Sequence, residues 1–235
     1  MMDNKSTKLA RIIFLYLAAL FVTSLVVSNL IFQKFIYWYP FNIDIFGSKL
    51  FELSVGILPY PITFLITDLI SEIYGQKKAN QVVIAGIFSS IFSILIILVA
   101  DFAPAIENSP VSDEIFTKVF SNSPLAVFAS MISYLFAQFV DIKIYHFWKK
   151  LTNGKHLWFR NNFSTFSSQF IDTFTVISLL TFFEILPPES FWGLVLSGFL
   201  FKVLIAAFDT PFLYLFVYFF RKKFNLQVGQ EIVLD

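Results

Sequence analysis

Long apolar stretches separated by short polar or basic segments are the dominant pattern along this chain of 235 residues. A helix needs about 20 apolar residues to cross the hydrocarbon core of a bilayer. Six stretches are about that long, and they predict spans at about 11–32, 51–74, 82–100, 124–148, 161–183 and 191–221. We therefore expect an all-α fold, a polytopic membrane protein whose six transmembrane helices form a single domain, 1–235.

The basic residues predict how these spans are oriented. Twelve lysines and arginines flank the spans on one side of the predicted bundle, whereas the other side carries Lys34, Lys49 and Lys118. Basic loops stay on the cytoplasmic side, so both termini are expected in the cytoplasm. The connector at 33–50 carries an aromatic cluster at 37–39, which is typical of the membrane–water interface.

Composition supports a membrane protein and excludes several classes of function. Hydrophobic residues make up 57% of the chain and charged residues 14%, against about 45–50% and 25% in soluble domains. A net charge of +1 argues against a nucleic-acid partner. The absence of cysteine excludes disulfides, thiolate metal sites and a cysteine nucleophile. His146 and His156 both lie in a basic loop region, so we expect no metal and no cofactor.

The second predicted span contains two acids in an otherwise apolar helix. Asp68 and Glu72 are four residues apart, which places them on one helical face about 6 Å from each other. An ionised carboxylate that faces lipid costs several kcal/mol, so both are expected to face the bundle interior. Pro59 and Pro61 predict a helix start or a break, and Gly75 predicts the end of the helix. A broken helix at membrane depth is tolerated where it is buried or lines a cavity.

The fifth predicted span carries a polar stripe. Ser164, Ser168 and Asp172 repeat every four residues, with Thr165 and Gln169 beside them. A polar face that ends in a mid-span acid favours a cavity-lining role. A purely structural cluster of hydrogen bonds is the alternative.

The fourth and sixth spans add further polar groups. Gln138, Asp141 and Tyr145 share one face of the fourth span. Lys202 and Asp209 share a face of the sixth span but lie about 10 Å apart along the helix axis. Each therefore needs a partner from another helix, and the acids of the second and fifth spans are the expected partners for Lys202.

The intramembrane charges comprise five acids and one base, with Lys143 expected to extend outward. In a structural interpretation, some acids are protonated and others pair with the base. In a functional interpretation, which we favour, they form a site for a cationic substrate or one rich in hydrogen-bond donors. Buried acids could also carry protons. Intramembrane aspartyl proteases also have two mid-span aspartates, but their Tyr-Asp and Gly-x-Gly-Asp signatures are absent, so we do not expect an enzyme.

Three sequence blocks carry a resemblance to a known family. They are 61–75 (Pro-Ile-Thr-Phe-Leu-Ile-Thr-Asp-Leu-Ile-Ser-Glu-Ile-Tyr-Gly), 160–173 (Arg-Asn-Asn-Phe-Ser-Thr-Phe-Ser-Ser-Gln-Phe-Ile-Asp-Thr) and 202–214 (Lys-Val-Leu-Ile-Ala-Ala-Phe-Asp-Thr-Pro-Phe-Leu-Tyr). With these blocks in order across three spans, the chain resembles the queuosine precursor transporter family, also labelled vitamin uptake transporter-like. The resemblance covers nearly the whole chain.

The resemblance implies a multi-pass importer in the bacterial inner membrane. Its substrate would be a 7-deazaguanine destined for tRNA modification: 7-cyano-7-deazaguanine, 7-aminomethyl-7-deazaguanine or queuine. The expected partners are this small molecule and the lipid bilayer, and a homo-oligomer is compatible with the sequence. The alternative is a substrate-binding subunit of an energy-coupling-factor vitamin importer. Those subunits dock through an Ala-x-x-x-Ala surface, whereas here Ala18 and Ala19 are adjacent.

The chemistry of a guanine-like base suggests roles for the buried polar residues. Its edge presents adjacent N–H donors, which a carboxylate accepts as a fork and a carboxamide can complete. We expect Asp172 and Gln169 to read this edge. Asp68 and Glu72 are expected to form a second acidic pole, for ligand or for a proton.

The remaining candidates are assigned less directly. Lys202 is expected to be held by one of these acids and released when the substrate arrives. Asp209 is expected to cap a helix break at Thr210 and Pro211. Further candidates for substrate binding are Asn29, Gln138, Asp141 and Asn162.

Overall fold

Helices dominate the architecture. The computed structural model describes residues 4–32, 34–37, 43–45, 48–49, 51–121 and 124–234. The α-helices are α1 (Asn4–Ile31), α2 (Tyr60–Ile73), α3 (Gln76–Asp101), α4 (Asp113–Phe116), α5 (Pro124–Leu151), α6 (Leu157–Phe182) and α7 (Phe191–Phe224). Short 3-10 turns at Val55–Ile57 and Pro188–Ser190 precede α2 and α7, and a π-helical turn at Thr117–Ser121 follows α4. A largely α-helical fold is therefore confirmed.

Within the described residues, four helical segments are both long and apolar enough to cross a membrane. They are Asn4–Ile31, Val55–Ile73, Gln76–Asp101 and Pro188–Phe224. The chain is thus a multi-pass membrane protein. Helices α5 and α6 are comparable in length to these four segments, at 28 and 26 residues. Of these two helices, α6 carries the polar stripe noted above.

The second predicted span begins too early. Residues 52–54 form strand β4 (Glu52–Ser54), which pairs antiparallel with β1 (Phe35–Tyr37), and β2 (Asp44–Ile45) pairs with β3 (Ser48–Lys49). The expectation of helix from residue 51 is corrected by these two small strand pairs, and the all-α class still fits the chain. Most of the aromatic cluster at 37–39 lies outside the described residues.

The proline pair explains where α2 begins. Helix α2 has 14 residues, starts at Tyr60 and has Pro61 at its second position, where a missing backbone N–H costs no hydrogen bond. Before it, the 3-10 turn packs closely on the end of α1, since a Cβ on Gly56 would lie 2.8 Å from the Ser28 carbonyl oxygen. The second span is therefore discontinuous, as the prolines predict.

The sixth span is continuous. Helix α7 passes through Pro211 without ending, so the expected cap by Asp209 at a break here is corrected. The Thr210 hydroxyl donates to the Ala206 carbonyl, 3.0 Å away, and also bonds with Asn162. These bonds satisfy the Thr210 hydroxyl beside the proline.

Helix α2 lies at the centre of the bundle. It contacts α1, α3, α5 and α7, and nearly every residue from Thr63 to Ile73 is buried. The surrounding helices expose large apolar side chains such as Leu15, Phe88 and Phe136, which suits contact with lipid. Polar side chains accordingly face inward, toward α2, and this arrangement builds the site.

Candidate functional site

The polar stripe of α6 faces the interior of the bundle. Ser164, Thr165, Ser168, Gln169 and Asp172 are all buried. Residues three or four apart share one helical face, so a single orientation of α6 buries all five. The stripe meets α5 on one side and α7 on the other, since α6 packs against both helices.

A cleft lies between α2, α6 and α7. Its cavity volume is about 30 Å³, so a two-ring heterocycle would fit only after the walls move apart. The lining residues are Ile57, Tyr60, Pro61, Phe64, Leu65, Asp68, Asn161, Thr165, Gln169, Phe201, Lys202, Ile205, Ala206 and Asp209. Four predicted site residues thus meet here: Asp68, Gln169, Lys202 and Asp209.

An ion pair closes one wall of the cleft. Lys202 Nζ lies 2.5 Å from Asp172 Oδ2, and the Tyr60 hydroxyl donates a hydrogen bond to the same oxygen. The ammonium also lies 4.7 Å from the centroid of the Tyr60 ring, within range of a cation–π contact. Lys202 therefore takes its partner from the fifth predicted span, one of the two sources expected from the sequence.

Two carboxamide oxygens in the cleft lack a partner. Gln169 Oε1 and Asn161 Oδ1 are buried and accept no hydrogen bond from the described residues. Leaving such an acceptor unpaired costs about 1–3 kcal/mol. Asp209 is partly exposed across the same cleft and forms no ion pair with the described residues. The cleft thus presents several acceptors without donors.

Asp68 lies near a second buried acid, Asp141 of α5. Asp68 is 3% exposed and Asp141 0%. Ser168 donates to Asp141 Oδ1 at 2.8 Å. Asp68 Oδ1 and Asp141 Oδ2 are buried and have no hydrogen-bond partner among the described residues. Asp68 also lines the cleft, so these two acids border the candidate binding site.

Glu72 occupies a different environment, one helical turn beyond Asp68. Its carboxylate lies 2.7 Å from Arg160 Nη2, 2.5 Å from Arg221 Nη2 and 3.6 Å from Lys149 Nζ. The Tyr145 hydroxyl donates to it at 3.0 Å. Glu72 does not line the cleft. Asp68 and Glu72 therefore do not form the single acidic pole that was expected, because cations from α5, α6 and α7 surround Glu72.

The chain's last described segment joins this charged cluster. Glu231 accepts from Lys149 Nζ at 2.8 Å, and the Ile232 backbone N–H donates to the Ile73 carbonyl at 2.7 Å. Ile232 is buried in the core. The C-terminal segment thus covers the C-terminal end of α2.

The remaining candidates lie outside the cleft. Asn29 Nδ2 is 3.5 Å from Ser90 Oγ, in a second cavity that also borders Tyr60. Gln138 donates to the Tyr134 hydroxyl at 2.8 Å. These side chains hold α1 to α3, or one turn of α5 to the next.

Asn162 also lies outside the cleft. The neighbouring residue, Asn161, faces the cleft instead. The Asn162 amide bonds with Thr210 and with the Trp158 carbonyl. Asn161 continues the four-residue spacing of Thr165 and Gln169. This spacing is present in the sequence, but Asn161 was not predicted from it as a site residue. Sequence reasoning also missed the aromatic walls, which are Tyr60, Phe64 and Phe201.

No group of three or more histidine, cysteine, aspartate or glutamate side chains in the described part of the chain could hold a metal ion.

Buried polar side chains enclosed by apolar helices define a multi-pass membrane protein. The family described as "Putative vitamin uptake transporter" matches residues 54–216, and the chain belongs to this family of transporters. It is 27% identical over 176 residues to a Bacillus subtilis (strain 168) protein named "Probable queuosine precursor transporter", covering 74% of each chain. No solved structure matches the chain.

Proposed function

We propose that this protein imports a queuosine precursor, a 7-deazaguanine base, across the bacterial inner membrane for use in tRNA modification. The family and the name of the Bacillus subtilis relative support transport of such a molecule. The cleft between α2, α6 and α7 is the proposed binding site.

The observation that carries this proposal is the set of unpaired acceptors in the cleft. Gln169 Oε1 and Asn161 Oδ1 are buried without donors among the described residues. The pyrimidine edge of a deazaguanine presents ring and exocyclic N–H donors side by side. Such a ligand would supply the hydrogen bonds that these oxygens lack, and its binding would remove their desolvation cost.

The walls of the cleft suit a flat ring. Tyr60 and Phe64 lie with ring centroids 5.2 Å apart on α2, and Phe201 lines the cleft from α7. Aromatic faces stack on planar heterocycles and exclude water from the hydrogen bonds at the ring edge. The bound base would thus lie between these side chains, with its polar edge toward α6.

The Lys202–Asp172 pair is proposed to respond to the substrate. A 7-aminomethyl substituent is a cation and would compete with Lys202 for the Asp172 carboxylate. A 7-cyano substituent is an acceptor and could instead receive a hydrogen bond from Lys202. A few such contacts, each worth about 1–3 kcal/mol, would decide which base is preferred.

We place six spans across the membrane, α1, α2 with its preceding 3-10 turn, α3, α5, α6 and α7, with both termini in the cytoplasm. The twelve basic residues on one side support this orientation. The inward-facing stripe of α6 explains why that helix is less apolar than the others. With this topology, the Glu72 cluster lies toward the cytoplasm and the cleft lies near mid-membrane, as in many secondary transporters.

The test is restoration of queuosine in tRNA. The host would lack both precursor synthesis and its own importer, and it would be able to convert each supplied base. Each of the three bases is given at low concentration, with and without this gene. We expect queuosine to reappear with one base only when the gene is present. Absence of queuosine with every base, with the protein detected in the membrane, would refute the proposal.

A second host tests the alternative subunit role. This host also lacks the shared energising module of energy-coupling-factor importers. Undiminished rescue there is expected for a self-sufficient transporter. Rescue that depends on the module would instead assign the chain to that importer class.

A further inference from the structure

We infer that a basic cavity at the end of α7 binds the headgroup of an anionic phospholipid of the cytoplasmic leaflet. Its walls come from residues 154–157, at the start of α6, and from parts of 214–222 and 226–228. Its volume is about 520 Å³, within the range of about 300–1,000 Å³ that is usual for ligand pockets. No described residue lines both this basic cavity and the cleft, so the two are separate sites.

Positive charge dominates the walls of the basic cavity. Lys155, His156, Arg221 and Lys222 line it, whereas no described aspartate or glutamate does. Lys155 and Lys222 are exposed and form no ion pair with the described residues. Lys222 Nζ lies 6.0 Å from the ring centroid of Tyr218, another lining residue. Two ammonium groups are therefore available to an anion in the basic cavity.

Arg221 adds positive charge that its own partners do not balance. Its guanidinium donates to Glu72 Oε1, but Arg160 and Lys149 pair with the same carboxylate. Glu231, which pairs with Lys149, brings this cluster to three cations and two carboxylates. One positive charge remains. Because a guanidinium carries five N–H donors, Arg221 can bind a phosphate oxygen while it keeps Glu72.

Buried contacts hold the loop that carries Lys155 in place. Arg160 Nη1 donates to the carbonyl oxygens of Gly154 and Lys155 at 2.9 and 2.7 Å, and Arg160 is buried. On its other side the loop packs on the C-terminal segment, since a Cβ on Gly154 would lie 2.6 Å from Gly229 Cα. This wall of the basic cavity is thus formed before any ligand binds.

Aromatic side chains indicate that the basic cavity lies at the membrane surface. Tyr214 and Tyr218 line it from α7, and both are exposed. The Tyr214 hydroxyl accepts a hydrogen bond from the backbone N–H of Trp158, which is also exposed. Tyrosine and tryptophan concentrate at the membrane–water interface. Phe212 and Leu215, nearer the middle of α7, are exposed as well and offer an apolar surface to acyl chains.

A phospholipid matches both features of this surface. Its phosphate supplies the anion that the basic groups require, and its acyl chains cover the apolar side chains beside them. A soluble phosphate ester would use the basic groups alone. The proposed topology places this end of α7 in the cytoplasmic leaflet, where anionic lipids bind basic pockets between helices.

The experiment measures lipid binding to the purified, delipidated full-length protein in detergent. Phosphatidylglycerol is compared with phosphatidylcholine of the same acyl chains, and glycerol 3-phosphate supplies the phosphate without the chains. Bound lipid is counted by native mass spectrometry, and Tm is followed at each concentration. We expect phosphatidylglycerol to bind roughly tenfold more tightly than phosphatidylcholine, and glycerol 3-phosphate to leave Tm unchanged.

Two double variants locate the site. Lys155→Gln combined with Lys222→Gln removes both available ammonium groups, so the Kd for phosphatidylglycerol should rise roughly 10- to 30-fold. Lys5→Gln combined with Lys8→Gln is the matched control. It removes the same charge from exposed positions on α1, on the same predicted side of the membrane, and should bind the lipid as the unmodified protein does.

Three outcomes would overturn the inference. Equal affinity for the two lipids would exclude recognition of an anionic headgroup. Equal losses in the two double variants would show that general surface charge attracts the lipid. Displacement of phosphatidylglycerol by glycerol 3-phosphate at equal concentration would assign the basic cavity to a soluble phosphate ester.

These measurements are independent of the proposed import function, because they use no deazaguanine. If the Lys155 and Lys222 double variant does not fold, the single variants decide the location. Each single variant should then raise the Kd for phosphatidylglycerol roughly fivefold, and an unchanged Kd in both would overturn the site.

Discussion

Lys202 of α7 and Asp172 of α6 form an ion pair with Nζ and Oδ2 2.5 Å apart, and the Tyr60 hydroxyl donates to the same oxygen. Three helices thus meet at one carboxylate oxygen beside the cleft. Removing one partner of a buried ion pair is costly because the other charge is left unpaired. Substitutions at either residue of this ion pair are therefore expected to have a large effect on transport.

Asp172→Asn is expected to abolish uptake while the protein still inserts in the membrane. The amide keeps the size of the side chain but removes the negative charge that holds Lys202. Uptake of labelled base, normalised to protein in the membrane fraction, is the measurement. Glu189→Gln, an exposed acid in the turn before α7, is the control. Uptake by Asp172→Asn equal to that of the unmodified protein would remove this residue from the site.

Tyr60→Phe isolates the contribution of the hydroxyl at the same carboxylate. The aromatic wall and its contact with Lys202 are kept, and a single charge-assisted hydrogen bond is lost. Such bonds contribute about 1.5–3 kcal/mol, so we expect a roughly 10- to 100-fold loss in kcat/KM for uptake. Tyr218→Phe on the exposed face of α7 should transport normally. An unchanged kcat/KM for Tyr60→Phe would show that the hydroxyl does not support the site.

Asn161→Ala and Asn162→Ala form a matched pair of adjacent substitutions. Asn161 faces the cleft, whereas Asn162 bonds with Thr210 and Trp158. Loss of one substrate contact is worth about 1–3 kcal/mol, so Asn161→Ala should raise the substrate Kd by roughly 10- to 100-fold. Asn162→Ala should leave the Kd nearly unchanged and lower thermal stability slightly. Equal effects of the two substitutions on Kd, measured by binding to purified protein, would contradict the proposed position of the substrate.

Glu72→Gln is expected to destabilise the protein rather than alter the cleft. The substitution leaves Arg160, which is 0% exposed, without its carboxylate partner. Breaking a buried pair in this way costs about 3–5 kcal/mol. We expect a clear fall in Tm in detergent, with little change in the substrate Kd of the folded fraction.

Glu231→Gln provides the comparison for Glu72. Glu231 pairs with the same Lys149, but its side chain is 39% exposed, and exposed pairs contribute about 0–1 kcal/mol. Its Tm should therefore stay close to that of the unmodified protein. Equal Tm values for the two glutamate substitutions would refute the central role given to Glu72.

The sequence determined the features that depend on local pattern. Apolar length predicted the helices, because a bilayer requires about 20 apolar residues per helical span. The four-residue spacing on α6 predicted one inward-facing polar stripe, since a helix places such residues on one face. Pro59 and Pro61 predicted the start of α2, because proline cannot supply a backbone donor inside a helix. These features need no knowledge of how the helices pack.

Only the tertiary structure decided which helix faces meet. Spacing placed Asp68 and Glu72 together, yet Asp68 lies near Asp141 while Glu72 meets Arg160 and Arg221. These cations are 88 and 149 positions further along the chain than Glu72. The rotation and tilt of each packed helix select the partner, and no local periodicity records them. The pairing of Lys202 with Asp172, the choice of Asn161 over Asn162, and the strand pairing at 52–54 follow from the same long-range packing.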